Sequence, residues 1–196
     1  METAQVVTDG RGLRSIRTRT AIIDALLELL RAGDPSPTSR QIAELAGISV
    51  RSVFLHFVDV EEIFASAAVR HFELHAPLWE AIPLDGTLDD RIATLVSRRI
   101  ELYSAVAPIR RAGLLRQHES PNLRLMMNAA RQANFDDMGR IFAAEFGRVA
   151  SPLRRDLQAA LDVATCFSTW DQLDRSGLSS QRIDATLRLL LRSLLA

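Results

Sequence analysis

The chain of 196 residues has no lysine, only one cysteine and no long apolar run. The single Cys166 cannot form a disulfide within the chain, and close to Ala164 and Phe167 we expect it to pack as a small buried hydrophobe. No stretch approaches the roughly 18 apolar residues that cross a bilayer, and the polar segment 1–14 lacks the apolar region of a secretory signal. The sequence therefore predicts a cytoplasmic protein with no membrane association.

Motifs for catalysis and for cofactor binding are also missing from the sequence. There is no HExxH pattern, no glycine-rich phosphate loop and no recognisable Ser-His-Asp arrangement. His71 and His75 have the spacing of two metal ligands on one helix face, and Glu73 and His118 are further donors if the fold brings them close. Because no third ligand has a recognisable spacing, we expect no metal site. Because the catalytic and phosphate-binding motifs are missing, we expect no cofactor and no enzymatic activity.

The charge of the chain is balanced overall but unevenly distributed. Its 24 basic residues, all arginines, equal its 24 acidic residues, so the net charge gives no support for a nucleic-acid partner. Residues 10–58, however, hold seven arginines against four acids. Arginine is well suited to bidentate contacts with phosphate and guanine, so the N-terminal region is where a nucleic acid would bind.

The hydrophobic pattern is helical nearly throughout, because apolar residues recur at spacings of three and four and never alternate for long. We therefore predict an all-α fold of about nine helices. The predicted helices cover about 13–32, 38–46, 49–55, 59–78, 88–107 and 109–116, two stretches of about 25 residues that begin near Pro121 and Pro152, and 180–195. Gly33, Pro108 and Gly177 are expected to end the helices that precede them.

Residues 38–57 have the pattern of a helix-turn-helix. Thr38 and Gln41 have the spacing of a capping box at the start of one short helix, and Gly47 ends it. Ser49 is placed to cap the next short helix. In such a module the first helix braces the second, which enters the major groove of DNA.

The second short helix is expected to bury one face and to present the other. Its inward side chains should be Val50, Val53 and Phe54, with Phe57 closing the unit. The other residues of this helix are then expected to face or flank the DNA.

A longer string of residues resembles the DNA-binding domain of the tetracycline-repressor (TetR) family. It consists of TSRQIAELAGIS at 38–49, SVFLHF at 52–57 and EEI at 61–63, within a match of about 50 residues. The resemblance implies three N-terminal DNA-binding helices, a fourth linking helix, a regulatory domain, and two last helices that pair with a second subunit. It places a helix-turn-helix DNA-binding domain at 1–58 and a helical regulatory and dimerisation domain at 59–196.

The sequence departs from the family pattern at two positions. Phe54 stands where the family usually has a tyrosine whose hydroxyl reaches a phosphate, and Val60 stands where a lysine usually contacts the DNA backbone. We therefore expect affinity to depend on arginines elsewhere, and an arm at 11–14 is a candidate for the minor groove. These arginines are Arg14, Arg17, Arg19, Arg40 and Arg51.

Arg51 is the best candidate for reading a base, because an exposed arginine can donate two hydrogen bonds to guanine O6 and N7. The alternative is a solvated surface charge. Leu55 is a candidate for contact with a thymine methyl, whereas Ser52 and His56 are more suited to phosphates. The full set of expected DNA-binding residues is Arg14, Arg17, Thr38, Arg40, Ser49, Arg51, Ser52, Phe54, Leu55 and His56.

The C-terminal two thirds of the chain are rich in large apolar side chains, most of which must form core. Cavities between helices are nevertheless where helical proteins hold ligands, and an apolar cavity with a few polar groups would accept a lipophilic effector. The expected pocket residues are Trp79, Tyr103, Met127, Arg131, Asn134, Phe135, Phe167 and Trp170.

The last two helices are expected to form a dimer interface, because they are too apolar for a surface. Two copies would make a four-helix bundle whose two-fold axis matches a palindromic DNA site. The alternative is that these residues pack only within one subunit. The expected interface residues are Leu153, Leu157, Leu161, Ala164, Ile183, Leu187, Leu190, Leu191 and Leu194.

Together these features predict a homodimeric, ligand-responsive transcriptional regulator. We expect a repressor that binds a palindromic double-stranded operator and is released by a small apolar or amphipathic effector. Two alternatives remain: a DNA-binding dimer without an effector, and an all-helical enzyme with an incidental N-terminal trihelix.

Overall fold

A computed structural model describes residues 10–118 and 120–196, with side chains from residue 12 onward. Its helices are α1 (Gly10–Arg31), α2 (Ser39–Leu45), α3 (Val50–His56), α4 (Val60–Leu74), α5 (Leu88–Arg116), α6 (Pro121–Ile141), α7 (Ala143–Phe146), α8 (Ser151–Thr165), α9 (Phe167–Arg175) and α10 (Ser180–Leu195), with a 3₁₀ turn at Ala76–Trp79. The described residues contain no strand, which confirms the all-α prediction. No helix among them is both long enough and apolar enough to cross a membrane.

The chain divides into two compact units. The first holds the residues up to 74 together with 108–123, and the second holds 75–107 and 124–196. Helix α5 contributes to both units, and the boundary within it falls at Pro108. Helix α4 packs against α1 and belongs to the first unit, together with α2 and α3. The boundary between residues 58 and 59, predicted to separate a DNA-binding domain from a regulatory domain, stays a prediction.

In the first unit, α1 packs against α4, α2 and α3. Burial of a large apolar side chain stabilises a fold by about 1.5–3 kcal/mol, so this small core is sufficient to fix three short helices on one long helix. The core side chains are Ile22, Leu26, Leu30, Ile42, Val53, Phe57, Ile63, Phe64 and Ala67.

In the second unit, α8 packs against α10 and α9. Tyr103 of α5 forms an aromatic cluster with Phe167 and Trp170 of α9, with ring centroids between 5.6 and 6.0 Å apart. The Tyr103 hydroxyl donates to the carbonyl of Thr165 at 3.0 Å. The one tyrosine of the chain therefore holds α5 against the end of α8.

The prediction that Pro108 ends a helix is wrong, because α5 continues through it to Arg116. A proline inside a helix removes one backbone hydrogen bond and strains the preceding turn. Here the side chains around it are buried, namely Val106, Ala107, Ile109 and Ala112. Packing on both sides of the proline offsets the lost bond.

Helix α4 ends at Leu74, not near residue 78 as predicted. Pro77 has no amide hydrogen to donate to the carbonyl of Glu73, four residues earlier, so the α-helix does not continue through it and the chain passes into the 3₁₀ turn.

The helix predicted from Pro152 to Gly177 is interrupted at Cys166, whose backbone is extended (φ −73°, ψ 164°). The break lies in a run of β-branched and hydroxylated residues that compete for backbone hydrogen bonds. Thr165 Oγ1 donates to the Leu161 carbonyl at 2.8 Å, and Thr169 Oγ1 donates to the carbonyl of Val163. Cys166 is half-buried at this break, so the expectation that it packs as a buried side chain is wrong.

Candidate nucleic-acid interface and a partly open cavity

The capping box predicted at the start of α2 is confirmed. The Gln41 amide donates to Thr38 Oγ1 at 3.3 Å, and Gln41 Oε1 accepts from the Thr38 amide at 2.9 Å. Gly47 follows the helix with φ +68°, a left-handed conformation that favours glycine. These local bonds define both ends of the first helix of the module.

The predicted cap of α3 is also confirmed. Ser49 Oγ accepts from the Ser52 amide at 3.1 Å and lies 2.9 Å from Ser52 Oγ. Both hydroxyls are thus already engaged with one another at the N-terminus of the helix. Ser52 Oγ can accept a further hydrogen bond in either arrangement, whereas Ser49 Oγ can do so only where it donates to Ser52 Oγ, since a hydroxyl oxygen has two lone pairs.

Only part of the predicted inner face of α3 is buried. Val53 and Phe57 lie in the core, but Val50 and Phe54 are exposed, Phe54 by 46%. Phe54 lies about 100° around the helix from Val53, and Val50 is the first residue of α3. The inward placement predicted for these two residues is therefore wrong.

The outward face of α3 carries the predicted DNA-contacting side chains. Arg51 and Leu55 are exposed, Leu55 by 74%, and they are joined by the exposed Phe54. Ser52 and His56 are half-buried at the edges of this face. A helix that exposes a leucine and a phenylalanine beside an arginine has an unpartnered, partly apolar surface.

Arg19 has a structural position that the sequence did not predict. Its guanidinium donates to the His56 carbonyl at the end of α3, to Glu62 Oε1 at 2.8 Å and to Ser66 Oγ at 3.2 Å. It also lies over the Phe57 ring, 4.0 Å from the centroid. Arg19 therefore clamps the end of α3 to α1 and α4, and its donors are directed inward.

Glu62 completes this clamp at the start of α4. The hydrogen bond from Arg19, followed by that from the Val58 amide at 2.8 Å, lowers the pKa of the Glu62 carboxyl below its usual value. The carboxylate is ionised at neutral pH, so the clamp that orients α3 is present under physiological conditions.

The exposed arginines around α3 give this surface a positive character. Arg14, Arg17, Arg40 and Arg51 are all exposed. Within residues 12–118 and 120–196, no carboxylate forms an ion pair with the last three of them. Exposed guanidinium groups are suited to contact with the phosphates of a duplex.

The arm predicted at 11–14 lies partly outside the residues described, since the side chain of Arg11 is not among them. Residues 12–14 lie within α1. Thr38 and Ser49, the other predicted polar contacts, are exposed at the N-termini of α2 and α3.

The second unit contains a cavity of about 170 Å³. Of the eight predicted pocket residues, Trp79 and Asn134 line it. Tyr103, Phe167 and Trp170 form the aromatic core instead, and Met127, Arg131 and Phe135 do not line the cavity. Its wall consists of Leu78, Trp79, Glu80, Ala81, Ile82, Arg98, Arg99, Leu102, Ala133, Asn134 and Asp137.

Two adjacent arginines of α5 supply the polar part of the wall. Arg99, only 5% exposed, donates to Asn134 Oδ1 and, at 3.2 Å, to Asp137 Oδ2. Among the described residues no acceptor is bonded to its buried Nε. Arg98 is half-buried and donates to the Pro77 carbonyl at 2.9 Å.

These two arginines were not predicted as pocket residues from the sequence, although the position of Arg99 within the apolar stripe of α5 indicated that it is buried. Arg99 falls on the apolar stripe of α5, where the neighbouring positions are Ile92, Leu95, Val96 and Leu102. An arginine on an inward stripe needs buried partners, and here they are Asn134 and Asp137.

The histidine pair does not gain a third metal ligand. His71 is buried in α4 and His75 is half-buried just beyond its end. In the described part of the chain, no group of three or more histidine, cysteine or acidic side chains is placed to hold a metal ion.

The predicted interface residues divide into two groups. Leu161, Ala164, Ile183, Leu187 and Leu191 are buried within the single chain. Leu153 and Leu190 are exposed, and Leu157 and Leu194 are half-buried. The most exposed apolar side chains of these helices are two that the sequence did not select, Val163 at 64% and Leu189 at 65%.

Two solved structures share this architecture. A transcriptional regulator from Rhodococcus sp. Rha1 superimposes with a TM-score of 0.68 and 18% identity, over 92% of this chain and 95% of the other. A TetR-family transcriptional regulator from Mesorhizobium loti MAFF303099 gives 0.60 and 17%, over 93% and 96%. No protein-family model and no curated protein sequence matches the chain. The chain therefore has the fold of these two regulators along nearly its whole length.

Proposed function

We propose that the protein is a DNA-binding transcriptional regulator that reads duplex DNA with α3. The observation that carries this proposal is the outward face of α3, where Arg51, Phe54 and Leu55 are exposed on a helix held from behind by the Arg19 clamp. The fold shared with two proteins described as transcriptional regulators supports the same function. The protein acts by binding and catalyses no reaction.

The contacts divide between bases and phosphates. Arg51 donates to guanine O6 and N7, and Leu55 with Phe54 packs on thymine methyl groups in the major groove. Arg14, Arg17 and Arg40 bind phosphates and set the register of the module. The remaining polar contacts come from the helix N-termini and edges, at Thr38, Ser49, Ser52 and His56.

The Arg51→Ala variant tests the base-reading role. We expect it to weaken binding to the preferred duplex by about 1–3 kcal/mol and to relax discrimination at one base pair in each half-site. Fluorescence anisotropy on the preferred duplex and on single-base variants measures both effects. The matched control is Arg182→Ala, which removes an exposed arginine of α10 and should change neither.

If Arg51→Ala weakens binding equally on every duplex, Arg51 binds a phosphate and another residue reads the base. If it has no effect at all, α3 is not the recognition helix.

We further propose that the regulator is a homodimer formed through α8 and α10. These helices bury one face in their own unit, and on the other face Val163 and Leu189 are exposed. Obligate dimers bury about 2,000 Å² or more of largely apolar surface, which two such helix pairs in a four-helix arrangement can supply. The two-fold axis gives the symmetry that a palindromic site requires.

Replacing Val163 and Leu189 together by glutamate should produce folded monomers, because the dimer would bury four unpaired carboxylates. Sedimentation velocity measures the mass, and circular dichroism confirms the fold. Leu125→Glu, on the equally exposed Leu125 of α6, is the control and should remain dimeric. A double variant that stays dimeric would place the interface elsewhere.

We also propose that the regulator is a repressor released by a small effector bound in the cavity. Helix α5 carries Arg98 and Arg99 at the cavity, and it also carries Arg116, which within the first unit donates to Glu61 Oε1 at 2.6 Å and to Ser36 Oγ at 2.8 Å. Ser36 lies two residues before the cap of α2. Helix α5 thus contributes residues to the cavity wall in the second unit and to the contacts beside α2 within the first unit.

A further inference from the structure

The wall of the cavity in the second unit carries two arginines, Arg98 and Arg99, and two carboxylates, Glu80 and Asp137, so its formal charges cancel but are not evenly paired. Asp137 is shared between two arginines, since Arg99 and Arg140 each approach it at 3.2 Å. Glu80 is exposed at the rim. Arg98 is bonded to a backbone carbonyl, and in the described ranges no carboxylate forms an ion pair with it. The Arg98 donors other than Nη1 are therefore left over for a ligand.

The size and the remaining wall of the cavity limit what can occupy it. An apolar cavity of roughly 150 Å³ holds one benzene molecule, so about 170 Å³ accommodates one six-membered ring with a small substituent. Leu78, Ile82 and Leu102 provide apolar surface, and Trp79 provides a flat aromatic one. A neutral ring alone would cover Arg98 without replacing the water that solvates its charge, which is unfavourable.

We propose that this cavity binds a monocyclic aromatic carboxylate, with the carboxylate on Arg98 and the ring against Trp79 and Leu102. Arginine and carboxylate form paired, charge-assisted hydrogen bonds that a neutral ligand cannot match. The inference rests on the proposed function, in which this anion is the effector.

The direct test uses benzoate as the probe and the full chain without DNA. Isothermal titration should show saturable binding of one benzoate per subunit, and benzamide, which has the same shape without the charge, should bind at least tenfold more weakly. Arg98→Gln should weaken benzoate binding at least tenfold and leave benzamide unchanged, whereas Arg98→Lys should retain part of the benzoate affinity. The exposed Arg148→Gln is the matched control and should bind as the unmodified protein does.

A second variant keeps the test decisive if Arg98→Gln fails to fold. Ala133 is exposed at the cavity wall, so Ala133→Leu should block the space and abolish benzoate binding without disturbing the core. The proposal is overturned if benzoate does not bind, if benzamide binds as tightly, or if neither substitution changes the benzoate affinity.

Duplex binding by the unliganded protein separates this inference from the proposed function. Benzoate binding that depends on Arg98, in a protein that does not bind DNA, would support the anion site and overturn the regulator. DNA binding without benzoate binding would support the regulator and overturn the anion site.

Discussion

Raising the salt concentration from about 50 to about 200 mM is expected to weaken DNA binding by roughly a thousandfold. Three phosphate-directed arginines in each subunit, Arg14, Arg17 and Arg40, release about six counterions per dimer, which gives a slope of log K against log salt near −5. All three are exposed on the first unit. Anisotropy titrations at four or five salt concentrations measure the slope.

Two variants make the salt experiment specific. Arg17→Gln removes two phosphate contacts per dimer and should reduce the slope by nearly 2, because each contact contributes about 0.9. Arg124→Gln removes an equally exposed arginine of α6 and should leave the slope unchanged. A binding constant that does not vary with salt would show that no phosphate is neutralised and would exclude this mode of DNA binding.

The second large effect is on stability, at the ion pair between Arg91 and Glu145 in the second unit. The Nη2–Oε1 distance is 2.6 Å and the Nη1–Oε2 distance is 3.1 Å, and both side chains are almost fully buried. Glu145→Ala should lower the free energy of unfolding by about 3–5 kcal/mol, because it leaves the Arg91 charge buried without its partner. Urea denaturation followed by circular dichroism measures the change.

The control for this pair is the double variant Arg91→Met with Glu145→Leu. Replacing both charges by apolar groups of similar volume removes the unpaired charge, so most of the lost stability should return. If the double variant is as unstable as Glu145→Ala, packing at this position is responsible and not the charge.

The same pair makes a pH-dependent contribution. The hydrogen bond from Arg91 is the main cause that lowers the pKa of the Glu145 carboxyl in the folded protein. A carboxyl with a lowered folded pKa stabilises the protein fully above its unfolded pKa, and this contribution is lost as the pH falls through the folded value. The difference in unfolding free energy between the unmodified protein and Glu145→Ala should therefore be largest near neutral pH and should shrink below about pH 4.5.

The parts of the module that could be predicted from the sequence are those determined by neighbours in the chain. The capping box of Thr38 and Gln41 and the serine cap at Ser49 involve residues three apart, so their spacing was sufficient. The clamp by Arg19 could not be predicted, because it joins residues 37 to 47 positions apart. An arginine in a basic segment has the same sequence pattern whether it faces DNA or the core.

Contacts between residues far apart in the chain also explain why the exposed face of the last two helices and the cavity could not be predicted. The apolar stripe of Leu187 and Leu191 correctly indicated that these side chains are buried. Periodicity does not say whether they are buried against the same chain or against a second copy. Val163 of α8 and Leu189 of α10 are the most exposed apolar side chains of the two helices. The cavity forms where the turn at Ala76–Trp79 contacts α5 and α6, and a local sequence pattern does not predict contacts between elements that are distant in the chain.

Selection from a pool of randomised duplexes tests the central claim most directly. After binding at low salt and sequencing of the retained DNA, we expect a two-fold symmetric site whose half-sites lie about one helical turn, roughly 34–36 Å, or a multiple of it apart. The Arg51→Ala protein should retain the same symmetry and lose its preference at one base pair of each half-site. A retained pool with no enriched sequence, or with the same site for both proteins, would contradict recognition of DNA by α3.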